Sequence, residues 1–243
     1  MEYVEFRGVD NLVYAEVTKD DAEGFETGDV KELAGAGEIS KTTSTSSATS
    51  HYDNGPRIVI NAEGADTITI TSSVPLLETQ AELTGKMIDP ETGAFIDTES
   101  EPKYYALGYR FQKTDGTYRY VWRLKGAFGI PDEASKTKDD STDTNNTQLT
   151  YTGIMTSHAF TKGSTKKPAK AVVVDDTPDS KCDVSTFFDQ VTTPETLVAK
   201  SEAASVSTMS ATANESEPTT AKTAAKTTAK TAAKTTAKTA AKK

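Results

Sequence analysis

Between residues 104 and 125 the chain alternates twice. Tyr105, Leu107, Tyr109 and Phe111 stand two apart, and so do Tyr118, Tyr120, Trp122 and Leu124. A period of two puts such residues on one side of an extended strand. Thr114-Asp115-Gly116 separates the runs and has the chemistry of a tight bend. The segment predicts a β-hairpin, 104–111 with 117–125, whose aromatic faces join to form a core. The positions between them carry Arg110, Arg119, Arg123 and Lys125, which predicts an opposite face rich in cations.

The flanking sequence also reads as mainly β. Strand-like runs occur at 11–18, 30–33, 57–60, 67–71, 149–155 and 172–174. In Thr67-Ile68-Thr69-Ile70-Thr71 the strict alternation places Ile68 and Ile70 on one face. Asp53-Asn54-Gly55-Pro56 is a turn signal. The Ser/Thr-rich run before it, 41–50, has high β propensity but almost no apolar patterning, so its register is weakly specified. It reads as a long loop or as an extended arm that needs a partner. One helix is bounded by Pro75 at its first position and Gly85 just past its end. Leu76, Gln80 and Leu83, with Leu77 and Ala81 beside them, give it an apolar stripe. Val184, Phe187, Phe188 and Val191 recur at helical spacing, so a short C-terminal helix is expected there, with Asp183 as its cap.

The last 43 residues obey different physics. From residue 220 they repeat in fours as TAAK and TTAK, without aromatic residues. Such a segment cannot bury enough surface to offset the entropy of ordering, and lysines four apart repel in a helix. Residues 201–243 are therefore expected to be a disordered cationic tail on a body formed by 1–200. Seven lysines against three acids make the tail +4, so the body carries −13 of the net −9. An acidic body repels nucleic acid at long range, whereas a basic tail attracts it. Cys182 is the single cysteine, which excludes an intrachain disulfide. No apolar run approaches the ~20 residues of a membrane-spanning helix. The N-terminus, with neither a basic start nor an apolar stretch, is not expected to be a secretory signal, so folding is expected to begin in a cytoplasm.

Constellations that would carry catalysis do not emerge. His51 and His158 are the only histidines, and neither has metal-ligand spacing. Gly35-Ala36-Gly37 lacks the third glycine of a dinucleotide loop. Asp139, Ser141, Asp143 and Asn145 alternate like calcium-loop ligands, but Thr144 stands where glycine is required and Thr150 where a bidentate glutamate belongs. Asp175-Asp176 is an ordinary pair in an acidic chain, and no serine sits in a GxSxG setting. The expectation is a protein that is not an enzyme, with no cofactor and no metal.

Several fragments in order resemble one family. They are GVDNLVYAEVTKDD (8–21), LAGAGEIS (33–40), DNGP (53–56), LLETQAELTG (76–85) and YYALGYRFQKTDGTYRYVWRLKGAFGIPDEASKTKDD (104–140). Together they are similar to the major tail proteins of siphophages infecting Gram-positive bacteria, over about residues 8–190. The resemblance implies a β-sandwich or partial barrel with a flanking helix. It implies hexameric rings in which each subunit adds strands to one barrel, stacked into the tail tube of a virion. The tape measure protein would fill the lumen during assembly, with the tail terminator and distal tail protein as further partners. DNA would pass through without specific binding, and no membrane would be engaged.

A sheet that continues into its neighbours leaves no exposed edge, and an acidic wall would not hold passing phosphates. The residues expected at contacts between subunits or rings are Lys41, Ser44, Ser47, Ser50, Asp53 and Asn54 on the polar run, with Arg119, Arg123 and Lys125 on the basic strand face. The latter three are expected to meet acids across an interface. Two alternatives have the same composition: the tube protein of a prophage-derived particle, and a polyanion-binding β-sandwich that uses its lysine tail.

Overall fold

A computed structural model describes residues 3–101, 103–131 and 146–200. The expected cationic tail, the polar connection at 132–145 and its calcium-like run lie outside these residues. The described residues are mainly β, with one α-helix. In chain order the elements are β1 (Phe6–Asp20), β2 (Phe25–Thr27), β3 (Lys31–Glu32), β4 (Ala36–Tyr52), β5 (Gly55–Ser72), α1 (Leu77–Thr84), β6 (Met87–Ile88), β7 (Phe95–Ile96), β8 (Tyr105–Lys113), β9 (Tyr118–Phe128), β10 (Thr147–Gly153), β11 (Ala159–Lys162), β12 (Thr165–Pro168) and β13 (Ala171–Asp176). The runs expected separately at 57–60 and 67–71 are one strand, β5.

Nine strands form one antiparallel sheet, in the order β2-β1-β8-β9-β10-β5-β4, with β3 also on β1 and β13 also on β9. The same edge of β9 is thus shared: β10 takes its end at 126–128 and β13 takes 118–123. The sheet curls. Leu33 N–H donates to the Leu12 carbonyl of β1 at 3.0 Å, and two residues later the Gly35 carbonyl accepts from Ser73 N–H, just past β5, at 2.9 Å. One short segment therefore bridges strands that are far apart in the sheet order, which makes a partial barrel. No second large sheet stacks on it among the described residues; β6–β7 and β11–β12 are separate two-stranded ribbons.

The two aromatic rows of the central hairpin do not share a face. Leu107 lies opposite Arg123, Tyr109 opposite Val121 and Phe111 opposite Arg119. Odd-numbered residues thus pair with odd-numbered ones, and directly paired residues point the same way. Tyr105, Leu107 and Tyr109 face one core with Leu12, Tyr14, Ile68, Ile70, Leu149 and Tyr151. Trp122, Leu124 and Tyr120 face a second core with Ala106, Phe160, Val172, Phe187 and Val191. The loop length sets this parity, and one residue more or less would have joined the rows. Both faces of the central hairpin are consequently covered, and Trp122 and Leu107 are fully buried on opposite sides of it.

On the first face α1 is pinned by two tyrosines. Tyr14 Oη donates to Glu82 Oε2 at 3.0 Å, and Tyr105 Oη donates to the Glu82 carbonyl at 2.5 Å. The helix ends at Gly85, whose φ of 66° is the left-handed value glycine tolerates. Pro75 lies just before the helix rather than inside it, and Leu76 is the N-cap. The buried helix residues are Ala81, Leu83 and Thr84; Leu76 and Leu77 are exposed, so the stripe is shorter than its spacing predicts.

The expected C-terminal helix is absent. Residues 185–191 form successive turns, in which Phe187 N–H donates to the Val184 carbonyl and Asp189 N–H to the Thr186 carbonyl. Trp122 Nε1 donates to the Phe187 carbonyl at 2.8 Å, and the Thr192 hydroxyl donates to it at 2.9 Å. That oxygen is the one a helix would have offered to Val191. Phe187 and Val191 are still buried, so the apolar pattern was a docking pattern without the helix. Asp183 caps a turn instead, accepting from Ser185 N–H at 3.0 Å.

Candidate assembly surface

The least globular part of the fold is the hairpin of β4 and β5. Its inner half belongs to the barrel, where β5 pairs with β10 over 66–72. Beyond Asp66 the only strand paired with β5 among the described residues is β4. The eleven residues of β5 before Asp66 extend about 35 Å at ordinary strand rise. Asp53 and Asn54, both at positive φ (51° and 58°), close this arm between the paired Tyr52 and Gly55. That is the two-residue turn whose twist matches the strands it joins.

Among the described residues the arm has two open edges and two open faces. Ile58, Val59 and Ile60 are 48%, 62% and 59% exposed, and Tyr52 at the tip is exposed as well. From Thr42 to Ser50 there is no charged residue. Edge strands of monomers are usually guarded by charges, prolines or shortness. This one carries two register shifts, between Thr43 and Thr45 and between Ser50 and His51, and Pro56 lies near the tip. Between those features the strand is long, flat in chemistry and unguarded. The run at 41–50 is therefore extended rather than a loop, and its partner among the described residues is β5 of the same chain. Ser44, Ser47, Ser50, Asp53 and Asn54 all lie on its projecting part.

Lys41 is at the root, in a cluster built on Asp66. Asp66 is 2% exposed and continues the inward row of Ile68 and Ile70. The Thr43 hydroxyl donates to its Oδ1 at 2.8 Å, and Arg123 donates to Oδ2 at 3.0 Å. Lys41 and Lys170 each stand 3.7 Å away, and Lys170 also reaches Glu63 at 2.8 Å. Burial alone would raise the Asp66 carboxyl. The Thr43 hydroxyl and the charges of Lys41, Lys170 and Arg123 outweigh it and hold Asp66 ionised below the usual carboxylate range. The cluster ties β4, β5, β9 and the approach to β13 together where the arm leaves the barrel.

Arg119, Arg123 and Lys125, expected to meet acids of another subunit, pair instead with acids of their own chain. Arg119 makes a two-pronged contact with Asp175, its cross-strand neighbour on β13, at 2.7 and 2.8 Å. The Arg119 fork, with Lys113 at 3.0 Å, pulls the Asp175 carboxyl down to about 2. Lys125 donates to Asp20 at 2.5 Å, and Asp20 also accepts from the backbone N–H groups of Ser157 and His158. Arg110 grips Asp10 in the same two-pronged way. The basic strand faces thus staple the body internally.

Sequence reasoning did not find Asp20, Asp66 or Asp175. For Asp66 a signal existed: it stands two before Ile68 and four before Ile70, so it had to point into the barrel and needed cations there. For Asp20 and Asp175 the pairing depends on strand order, which no local pattern encodes. Also missed was β11–β12, where Lys162, Lys166 and Lys167 cluster around the turn at Gly163 (φ 62°).

His51 lies on the arm, and His158 packs edge-on against Phe160, so the two histidines share no site. Burial pushes the Cys182 thiol up, which leaves it protonated rather than nucleophilic. No group of three or more metal-ligating side chains occurs among the described residues. None of their helices is long and apolar enough to cross a membrane. No family model matches the chain, and no curated protein matches it.

Proposed function

We propose that the chain is the tail tube protein of a long-tailed bacteriophage, a structural subunit without enzymatic activity. In this reading it self-associates into stacked rings, hexameric by the family resemblance. The tube is assembled in the host cytoplasm around a tape measure protein, between a tail terminator and a distal tail protein. It serves in the virion as the conduit for DNA. The observation that carries the reading is the arm: a long β-ribbon with both edges open and an uncharged outer strand. Such an edge is a hazard to a monomer and an asset to a subunit that completes its sheet with copies of itself. The curled sheet supports the same reading, because a partial barrel can become one segment of a larger closed one. The acidity of the body suits a conduit, since a wall that bound phosphates would hold the DNA it must release.

Negative-stain electron microscopy of the purified full chain at rising concentration tests the proposal. Rings or tubes of uniform width are expected. A compact monomer at every concentration, by light scattering as well as microscopy, would overturn it.

A further inference from the structure

Near the tip of the arm the two strands fall out of step. Ser50 pairs with Ile58 and His51 with Pro56, which leaves Arg57 without a cross-strand partner. An extra residue of this kind is a bulge, and a bulge re-aims the side chain it carries. Arg57 is exposed and makes no ion pair among the described residues. On β1, β3, β4, β8 and β9, by contrast, every lysine and arginine except Arg7 pairs with a carboxylate. Beside Arg57 stand the exposed Ile58, Val59 and Ile60, with Tyr52 across the turn. From Thr42 to Ala62 the only other charged residue is Asp53, so the arm is neutral on an acidic body. A free arginine among exposed apolar and aromatic side chains has the composition of an interface anchor.

A matching concavity lies at the other end of the strand order. A cavity of about 570 Å³ opens beside β2, within the roughly 300–1,000 Å³ of clefts that hold a ligand. Phe160 and Val191, both buried in the second core, give it an apolar side. Glu26, Asp29, Asp189 and Glu195 also line it, all exposed, and none makes an ion pair among the described residues. Glu195 accepts from Thr161 N–H at 2.7 Å, which holds one of its oxygens in place. Unpaired acids are common on this body. These four are set apart because they share one concavity with an apolar side and with no described lysine or arginine in its lining.

We infer that the arm tip of one copy of this chain seats in the β2 cavity of another, with Arg57 among the four carboxylates and Ile58 and Ile60 toward the apolar side. The inference rests on the self-assembly reading above and gives the arm a receptor. β4 ends the strand order on one side and β2 ends it on the other, so donor and receptor are different surfaces. A contact between different surfaces adds copies head to tail, whereas a self-complementary patch closes a two-fold dimer. Lys162, Lys166 and Lys167 are exposed cations too, but no large exposed apolar side chain stands beside them. A small diffusible cation is a poorer occupant as well, because it would meet the carboxylates and leave the apolar side uncovered.

The test uses the full chain and its critical concentration for assembly, read by light scattering and microscopy. Arg57→Glu is expected to raise that concentration at least about tenfold, since an attractive contact in a partly enclosed site becomes repulsive. Arg57→Gln is expected to raise it by a smaller factor. On the receptor, Glu26→Lys/Asp29→Lys is expected to raise it as Arg57→Glu does. Arg57→Glu and Glu26→Lys/Asp29→Lys combined in one chain are expected to bring it back toward the wild-type value. All three positions are exposed, so each variant should melt within about 2 °C of the wild type. Wild-type tubes with an Arg57→Glu variant that assembles at the same concentration would overturn the inference and leave the tube reading standing. So would a receptor variant without effect, or a loss that the combined chain does not reverse. A wild type that never assembles would overturn both.

Discussion

Replacing Asp66 with asparagine removes one charge and almost no volume, which makes it a clean probe of the arm root. The amide oxygen can still accept from the Thr43 hydroxyl, so the hydrogen bond at 2.8 Å survives. The compensation of three cations does not. Arg123 and Lys170 have side chains only 12% and 11% exposed, so neither can turn fully into solvent. Removing one partner of a buried ion pair costs about 3–5 kcal/mol, because the other is left uncompensated. Lys170 keeps Glu63 and Lys41 is 39% exposed, which places the expected loss at the lower end, about 3 kcal/mol. For a body of this size that lowers the melting temperature by about 6–12 °C. Calorimetry of the full chain below its assembly concentration measures it. Adding Arg123→Met to Asp66→Asn should recover at least about 1 kcal/mol, because the stranded charge goes with it. A single variant within about 0.5 kcal/mol of wild type would refute the view that Asp66 neutralises this cluster.

Three further outcomes follow from the same structure. A methyl group at Gly108 would lie 2.7 Å from Val13 Cγ2 and 2.9 Å from the Trp122 ring, so Gly108→Ala should destabilise by about 1–3 kcal/mol in urea titration. Asp175 has its folded value near 2 against about 3.9 unfolded. A depressed carboxylate stabilises above its unfolded value and loses that contribution as the pH falls through its folded one. Stability should therefore hold above about pH 4 and fall between about pH 4 and 2, and Asp175→Asn should flatten part of that fall in an acid titration followed by tryptophan fluorescence. Replacing 47–61 by an Asn-Gly turn shortens the arm just beyond the paired Ser46 and Ala62. Because the removed residues are almost wholly exposed, the melting temperature should hold within about 2 °C, whereas tubes should no longer appear by microscopy.

Much of the fold could be read from periodicity, since both strands of the central hairpin, the inward pair Ile68 and Ile70, the Asp53-Asn54 turn and the Gly85 helix stop are local features. What escaped was the relation between elements. The aromatic rows at 105–111 and 118–124 each announce a buried face, but only the hairpin register decides whether they look at each other or away. The helical spacing at 184–191 announced burial and misassigned the backbone, because the decisive partner, the Trp122 indole, is some sixty residues away in sequence. The site divides similarly. The arm was visible as a polar run too poorly patterned to pack, whereas the cations of β9 looked available only because their acids, Asp20, Asp66 and Asp175, come from distant strands.

That reassignment changes what holds a subunit together and what holds subunits to each other. If Arg119, Arg123 and Lys125 faced a neighbour, each body would carry unpaired cations on its central strand until it assembled. Here those charges are satisfied within the body, and both sides of the central strands are covered. In the proposed assembly, folding would therefore be complete before association. The surface left over is the arm, with unspent backbone hydrogen-bonding groups on both edges among the described residues. Backbone pairing is strong but indifferent to sequence, since any extended strand can accept it. An open edge alone would invite pairing in many registers. In the proposed assembly the register would have to be fixed by the irregularities of the arm itself, between Thr43 and Thr45 and between Ser50 and His51, because a bulge pins the pairing that a regular strand leaves free to slip.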